Sequence, residues 1–152
     1  MLVFCARGQG LIVNLTRFVT FKPLSKELEA RHKSVREIEA QVLEATSIGG
    51  TLAEPYRALE RAYDEHGFAG QILKHHQGGL AGYATREALA KPNSSGMIEP
   101  WMAFAWNPSV PNAKVEDTFL LHANCTLEDL TFDPDWPSIL VEGRKRPIPL
   151  EA

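Results

Sequence analysis

The sequence predicts an α+β fold, and three observations carry that expectation. The N-terminal stretch is rich in β-formers and is split by Arg7-Gly8-Gln9-Gly10. Two amphipathic stretches at helical spacing follow, between Ser25 and Gly67. The remainder alternates short β-rich runs with turn chemistry. A hairpin, two helices and then antiparallel strands make an α+β layout rather than an alternating one.

Leu2 to Ala6 and Leu11 to Phe21 flank the glycine-containing turn and predict the hairpin, which Lys22-Pro23 ends. Ser25 is placed to cap a long helix reaching about Thr46. Leu28, Val35, Ile38 and Val42 form its apolar stripe, with Glu and Lys/Arg expected on the solvated face. Ile48-Gly49-Gly50 breaks it. Thr51-Leu52-Ala53-Glu54 reads as a capping box for a second helix that tolerates Pro55 in its first turn. Leu52, Tyr56, Leu59 and Tyr63 form the buried face of that helix, and Gly67 stops it.

Beyond the helices, Trp101 to Trp106 and Lys114 to Leu121 predict strands, with Asn107-Pro108-Ser109 and Pro111-Asn112 as turns between them. Lys91 to Gly96 predicts an exposed loop. Asp133-Pro134-Asp135-Trp136-Pro137 predicts another, with its two acids as loop residues rather than a metal pair. A last strand is expected near Ile139 to Glu142. The three tryptophans are expected in core or rim packing.

The length of 152 residues suits one domain spanning 1–152, long enough to bury a real core. Hydrophobic content of 44% and charged content of 23% are ordinary for a globular protein. A formal charge of -3 gives no basic footprint for nucleic acid and no polybasic patch for a membrane. Cys5 and Cys125 lie far apart in no metal-ligand spacing and are expected to be free thiols. Residues 1–15 have no basic leader, Arg7-Gly8-Gln9 interrupts their apolar run, and no run approaches membrane-spanning length. A cytoplasmic location is the resulting expectation.

The chemistry-bearing stretch is His75 to Tyr83, HHQGGLAGY, which holds two of the five histidines. It is not a phosphate loop, because no Lys-Ser/Thr follows it. Three further segments stand in order around it. They are Gly10-Leu11-Ile12-Val13-Asn14-Leu15-Thr16-Arg17, Ile98-Glu99-Pro100-Trp101-Met102 with Trp106-Asn107-Pro108-Ser109, and Lys114-Val115-Glu116-Asp117-Thr118. Together they resemble the pita-bread family, which includes methionine aminopeptidase, prolidase, aminopeptidase P and the metal-free creatinase. The resemblance implies an antiparallel curved sheet with two helices on one face. It covers nearly the whole chain but only the second half of the family's catalytic domain, the preceding half being absent.

The family's chemistry uses two Asp, one His and two Glu to hold two divalent metals that activate a water. Carried over by motif, the first Asp falls on Val3, the second on Asn14, the His on His76, and the two Glu on Asn107 and Glu116. One carboxylate of four remains. Hard divalent cations are held largely by carboxylate charge, so no dinuclear centre and no cofactor is expected. The alternative is one divalent metal (Mn, Co or Zn), weakly bound on His76 and Glu116, short of the three protein ligands usual at catalytic zinc.

The resemblance therefore implies a peptidase-like hydrolase of Xaa-Pro aminopeptidase or creatinase type with a degenerate metal site, inactive as this chain alone. His76 would be general base, with Glu116 orienting it. Asn14, Asn107, His75 and Arg86 would contact a small peptide or amide substrate. The competing reading is a binding domain without turnover. For single residues the plainer alternatives stay open: His75 as a structural histidine, Gln77-Gly78-Gly79 as a simple turn, and Arg86 with Glu87 as a pair at the start of a surface helix. Asp117 is expected to face away from Glu116 if the two share a strand. The expected partners are the rest of a parent chain and a second copy, since half a domain leaves a sheet edge and an apolar face uncovered.

Overall fold

The computed structural model describes all residues, Met1–Ala152. Strands β1 (Leu2–Gly8) and β2 (Leu11–Arg17) form the expected hairpin, with Val3 opposite Thr16 and Cys5 opposite Asn14. Its two-residue turn has positive φ at both Gln9 and Gly10, the geometry that matches the right-handed twist of paired strands. Every residue of β1 is exposed, whereas Asn14, Thr16 and Arg17 on β2 are buried. The two-residue strand β3 (Val19–Thr20) follows.

Helix α1 (Lys26–Ala45) starts where Ser25 Oγ accepts the Leu28 N–H, satisfying one of the free donors of the first turn. Val35, Ile38 and Val42 are fully buried as the apolar stripe requires. The expected solvated face is only partly that. His32, Arg36 and Glu39 are buried too, because the C-terminal segment of the chain packs over them. Helix α2 (Ala53–Glu65) buries Tyr56, Leu59 and Tyr63, and the positive φ of Gly67 terminates it. Only half of the anticipated capping box forms. Glu54 accepts the Thr51 N–H at 3.2 Å, but the Thr51 hydroxyl turns to the same carboxylate instead of to the Glu54 N–H.

A short 3-10 turn (Gln71–Lys74) leads into β4 (Gly78–Ala81), followed by β5 (Ala88–Leu89), β6 (Ala103–Trp106), β7 (Ser109–Val110), β8 (Ala113–Lys114), β9 (Asp117–Leu121) and β10 (Leu127–Asp129). The main sheet is antiparallel throughout, in the order β10-β9-β6-β4-β5. Phe104, Trp106, Phe119 and Leu121 of β6 and β9 join Ile38, Val42, Leu59 and Tyr63 of the two helices in one apolar cluster. Each such side chain withdrawn from water stabilises the fold by about 1.5–3 kcal/mol. This is the expected sheet with both helices on one face. No helix is long and apolar enough to cross a membrane.

Four expectations at this level need correction. Gly78-Gly79 is not a turn but part of the strand between β6 and β5. Its positive φ values, and the carbonyls of Ala105 and Ala88 that crowd where side chains would be, explain the glycines. Arg86-Glu87 starts no helix; the segment is irregular and leads into β5. The strand expected over 114–121 breaks at Val115-Glu116. The strand expected near Ile139 to Glu142 is present as β11 (Ser138–Val141) but is not the last: it forms a hairpin with β12 (Arg144–Pro147), turned at Glu142-Gly143 with positive φ at both. It is followed by β13 (Leu150–Glu151), which pairs in parallel with β3.

That C-terminal hairpin is pinned by Arg146, which is 1% exposed. Its guanidinium forms a two-pronged pair with Glu39 of α1 at 2.6 and 2.7 Å, and further pairs with Asp117 and Asp129 at 2.8 Å each. Planar fork geometry of this kind makes the strongest side-chain hydrogen bonds. Arg17 also reaches Asp117, at 2.8 Å.

Candidate functional site

Asn14, Arg86 and Glu116, three of the residues singled out by sequence, come together where β2 meets the strand break before β9. The backbone brings them there. Thr16 and Glu116 form an isolated antiparallel bridge, and the Asn14 N–H donates to Thr118 Oγ1 at 2.8 Å. Asp117 faces the other way, toward Arg17 and Arg146, as strand alternation requires.

Glu116 is 4% exposed and fully engaged. One carboxylate oxygen accepts Arg86 Nη2 at 2.8 Å. The other accepts Lys114 Nζ at 2.7 Å and the Thr16 hydroxyl at 2.9 Å. Burial alone would raise its pKa, but Lys114 and Arg86 outweigh burial and hold the carboxyl below its ordinary value. Two cations against one anion leave this cluster with a net charge of +1.

The Asn14 side chain is also satisfied. Its carbonyl accepts the Cys5 thiol, and its amide donates to Thr85 O at 3.3 Å. Among the residues singled out by sequence, Arg86 and Asn107 each keep one buried polar atom without a partner, Nε and Oδ1. Asn107 is held by its backbone N–H on Gln77 O at 3.1 Å, and no hydrogen bond links its side chain to the Glu116 cluster.

The two histidines diverge. His75 bonds Ser109 Oγ through Nε2 and the His76 carbonyl through Nδ1, a structural arrangement rather than an open binding group. His76 is exposed and makes no hydrogen bond to Glu116. The expectation that Glu116 orients His76 is therefore corrected: the Glu116 oxygens are already taken by Arg86, Lys114 and Thr16. Partial burial, with Arg86 and His75 adding to it against Glu116, lowers the His76 pKa and keeps the ring neutral near pH 7. Val3, at the position matched to the first family Asp, is exposed and brings no donor atom. No group of three or more His, Cys, Asp or Glu side chains is arranged to hold a metal ion.

Lys114, Thr16 and Cys5 are site residues that motif reading missed. Lys114 carried a usable signal, since its spacing of two from Glu116 puts both on one side of an extended segment. Thr16 had a similar signal, two residues from Asn14. Cys5 had none, because only the hairpin register places it opposite Asn14.

Comparison with known proteins agrees with this fold. Among curated sequences no protein matches. Among solved structures, a dipeptidase from Pyrococcus horikoshii OT3 superposes with a TM-score of 0.74 at 18% identity, over 86% of this chain and 38% of that one. The X-Pro aminopeptidase of Thermotoga maritima MSB8 gives 0.73 at 19% identity, over 87% and 39%. The N-terminal domain of the FACT complex subunit SPT16 from Cicer arietinum (chickpea) gives 0.68 at 15% identity, over 86% and 34%. The chain thus spans well under half the length of these structures and shares their fold over that part. The model of metallopeptidase family M24 matches residues 1–126, and the chain belongs to that family.

Proposed function

We propose that this domain binds peptide or amide ligands at the position of the family's metal centre and does not hydrolyse them through a dinuclear metal. The observation that carries this reading is the state of Glu116. The one carboxylate retained at a family ligand position is neutralised by Arg86 and Lys114. A divalent cation approaching it meets a cluster of net charge +1 and must displace Arg86 to gain one oxygen, or Lys114 and the Thr16 hydroxyl to gain the other. Val3, Asn14 and Asn107 offer no charge to offset that loss. The donor set does not fit a dinuclear centre. Arg86 Nε and Asn107 Oδ1, buried and unpartnered, supply one donor and one acceptor for an amide.

A second reading is hydrolysis with His76 as base, completed by groups from the rest of a parent chain. It is favoured by one observation, the exposed His76 ring, whose pKa is lowered by partial burial. Alone, the chain is inactive in both readings. A second copy covering the exposed Leu2, Val3 and Phe4 of β1 completes the proposal.

The test is hydrolysis of Xaa-Pro dipeptides with and without added Mn, Co or Zn, run beside equilibrium binding of the same dipeptides. Saturable binding without turnover supports the first reading. Metal-stimulated turnover overturns it, and metal-independent turnover by the longer parent chain that is lost in His76→Ala favours the second. Sedimentation velocity tests self-association, and a monomer at every concentration contradicts it.

A further inference from the structure

Beside the Glu116 cluster lies a cleft of about 710 Å³, walled by the N-terminal part of α1, the β7–β8 hairpin and the segment around Phe18. That volume is within the range of small-molecule sites. Phe18, Leu28 and Val110 line its apolar side, and His32, Ser109 and Lys114 its polar side. No Asp or Glu lines it. We infer that this cleft binds an apolar monocarboxylic acid, with its carboxylate between Lys114 and His32 and its chain along the apolar wall. The inference goes beyond the function proposed above and does not depend on whether ligands bind at Glu116.

Two independent features point to that ligand. The Lys114 ammonium has three N–H donors and donates one to Glu116, which leaves two for a ligand oxygen. His32 is 4% exposed, and its Nε2 has no partner. A buried polar atom without a partner is costly, and in the tautomer that carries its proton on Nε2 a ligand oxygen accepting that N–H would offset the cost. The His32 ring is held in place edge-on to Phe18, with centroids 4.6 Å apart. A single ammonium, already shared with Glu116, suits a monoanion better than a phosphate dianion, which calls for two or more cations. The apolar wall requires an alkyl or apolar side-chain portion on the acid.

The test is calorimetric titration with octanoate, octan-1-ol and N-acetyl-leucylleucine as the free acid. Octanoate is expected to bind saturably at one site, at least about tenfold tighter than octanol, since a desolvated charge-assisted contact is worth more than a neutral one. Leu28→Glu places a carboxylate in the cleft and should weaken octanoate at least about tenfold. That variant is expected to fold, because Leu28 is only half-buried and lies in the first turn of α1, where a negative charge is favourable. Lys114→Gln should weaken octanoate in the same direction. Competition between the peptide acid and octanoate would assign the natural carboxylate to a peptide C-terminus; octanoate binding without competition would assign it to an alkyl acid. Equal binding of octanol and octanoate, unchanged affinity in Leu28→Glu, or no saturable binding of either acid would overturn the inference.

Discussion

Replacing Glu116 by Gln tests how the centre of this domain is held. The substitution keeps the shape and removes the charge that Arg86 and Lys114 share. Arg86 and Glu116 are 8% and 5% exposed in their side chains, so that pair sits in the buried regime, where loss of one partner costs about 3–5 kcal/mol. Lys114 is 15% exposed and can turn toward water, which argues for the lower end, about 3 kcal/mol. For a domain of this size each kcal/mol shifts Tm by about 2–4 °C, so a drop of roughly 6–12 °C is expected. Urea unfolding measures the free energy, and calorimetry the Tm. Adding Arg86→Gln to the variant should recover part of the loss, with a coupling of about 1–3 kcal/mol between the two sites. The pH dependence gives a second check. Glu116 has a depressed pKa when folded, so its contribution is present above the ordinary carboxylate pKa and is lost as pH falls through the folded value. Glu116→Gln should lack that part of the acid loss. A destabilisation below about 1 kcal/mol, or an identical acid profile in both proteins, would refute the claim that the retained carboxylate is consumed by its two cations.

Further outcomes follow from other buried groups. Arg146→Met should cost about 3–5 kcal/mol in urea unfolding, because it strands Glu39, which is 0% exposed, and leaves Asp117 with Arg17 as its one cation. Hydrogen exchange should then show residues 138–151 losing protection first. His32 has its pKa lowered to about 4 by burial and by Arg36, so the unfolded chain binds more protons between that value and 6.5. Stability should therefore decline as pH falls through that window, by on the order of 3 kcal/mol in full, and His32→Phe should flatten the decline. Gly79→Ala should lose about 3 kcal/mol or more and express poorly, since a methyl group there meets the Ala88 carbonyl at a φ of 144°.

Local pattern carried the hairpin, both helices and their buried faces, because each depends on spacing within one element. Ser25 as cap and Gly67 as stop are decided within four residues of where they act. What the sequence hid was partnership at long range. Glu39 and Arg36 look like a solvated helix face until Arg146, 107 residues from Glu39, arrives over them. Arg86 beside Glu87 reads as a local pair, yet its partner is Glu116, 30 residues on. Gly78-Gly79 has turn composition, and only the strands on either side show why glycine is needed within the sheet. Motif order was enough to indicate the family and to bring Asn14 and Glu116 into one site. It placed His76 there as well, where the geometry leaves it exposed and unbonded to Glu116.

The central claim is that cations from the chain have taken over the charge that metals would need. Metal content tests it most directly. Protein purified without chelator would be incubated with excess Mn, Co and Zn, desalted, and analysed by mass spectrometry for bound metal. The account predicts retention well below one equivalent for each metal. About two equivalents of tightly held metal, the stoichiometry of a working dinuclear site, would contradict it.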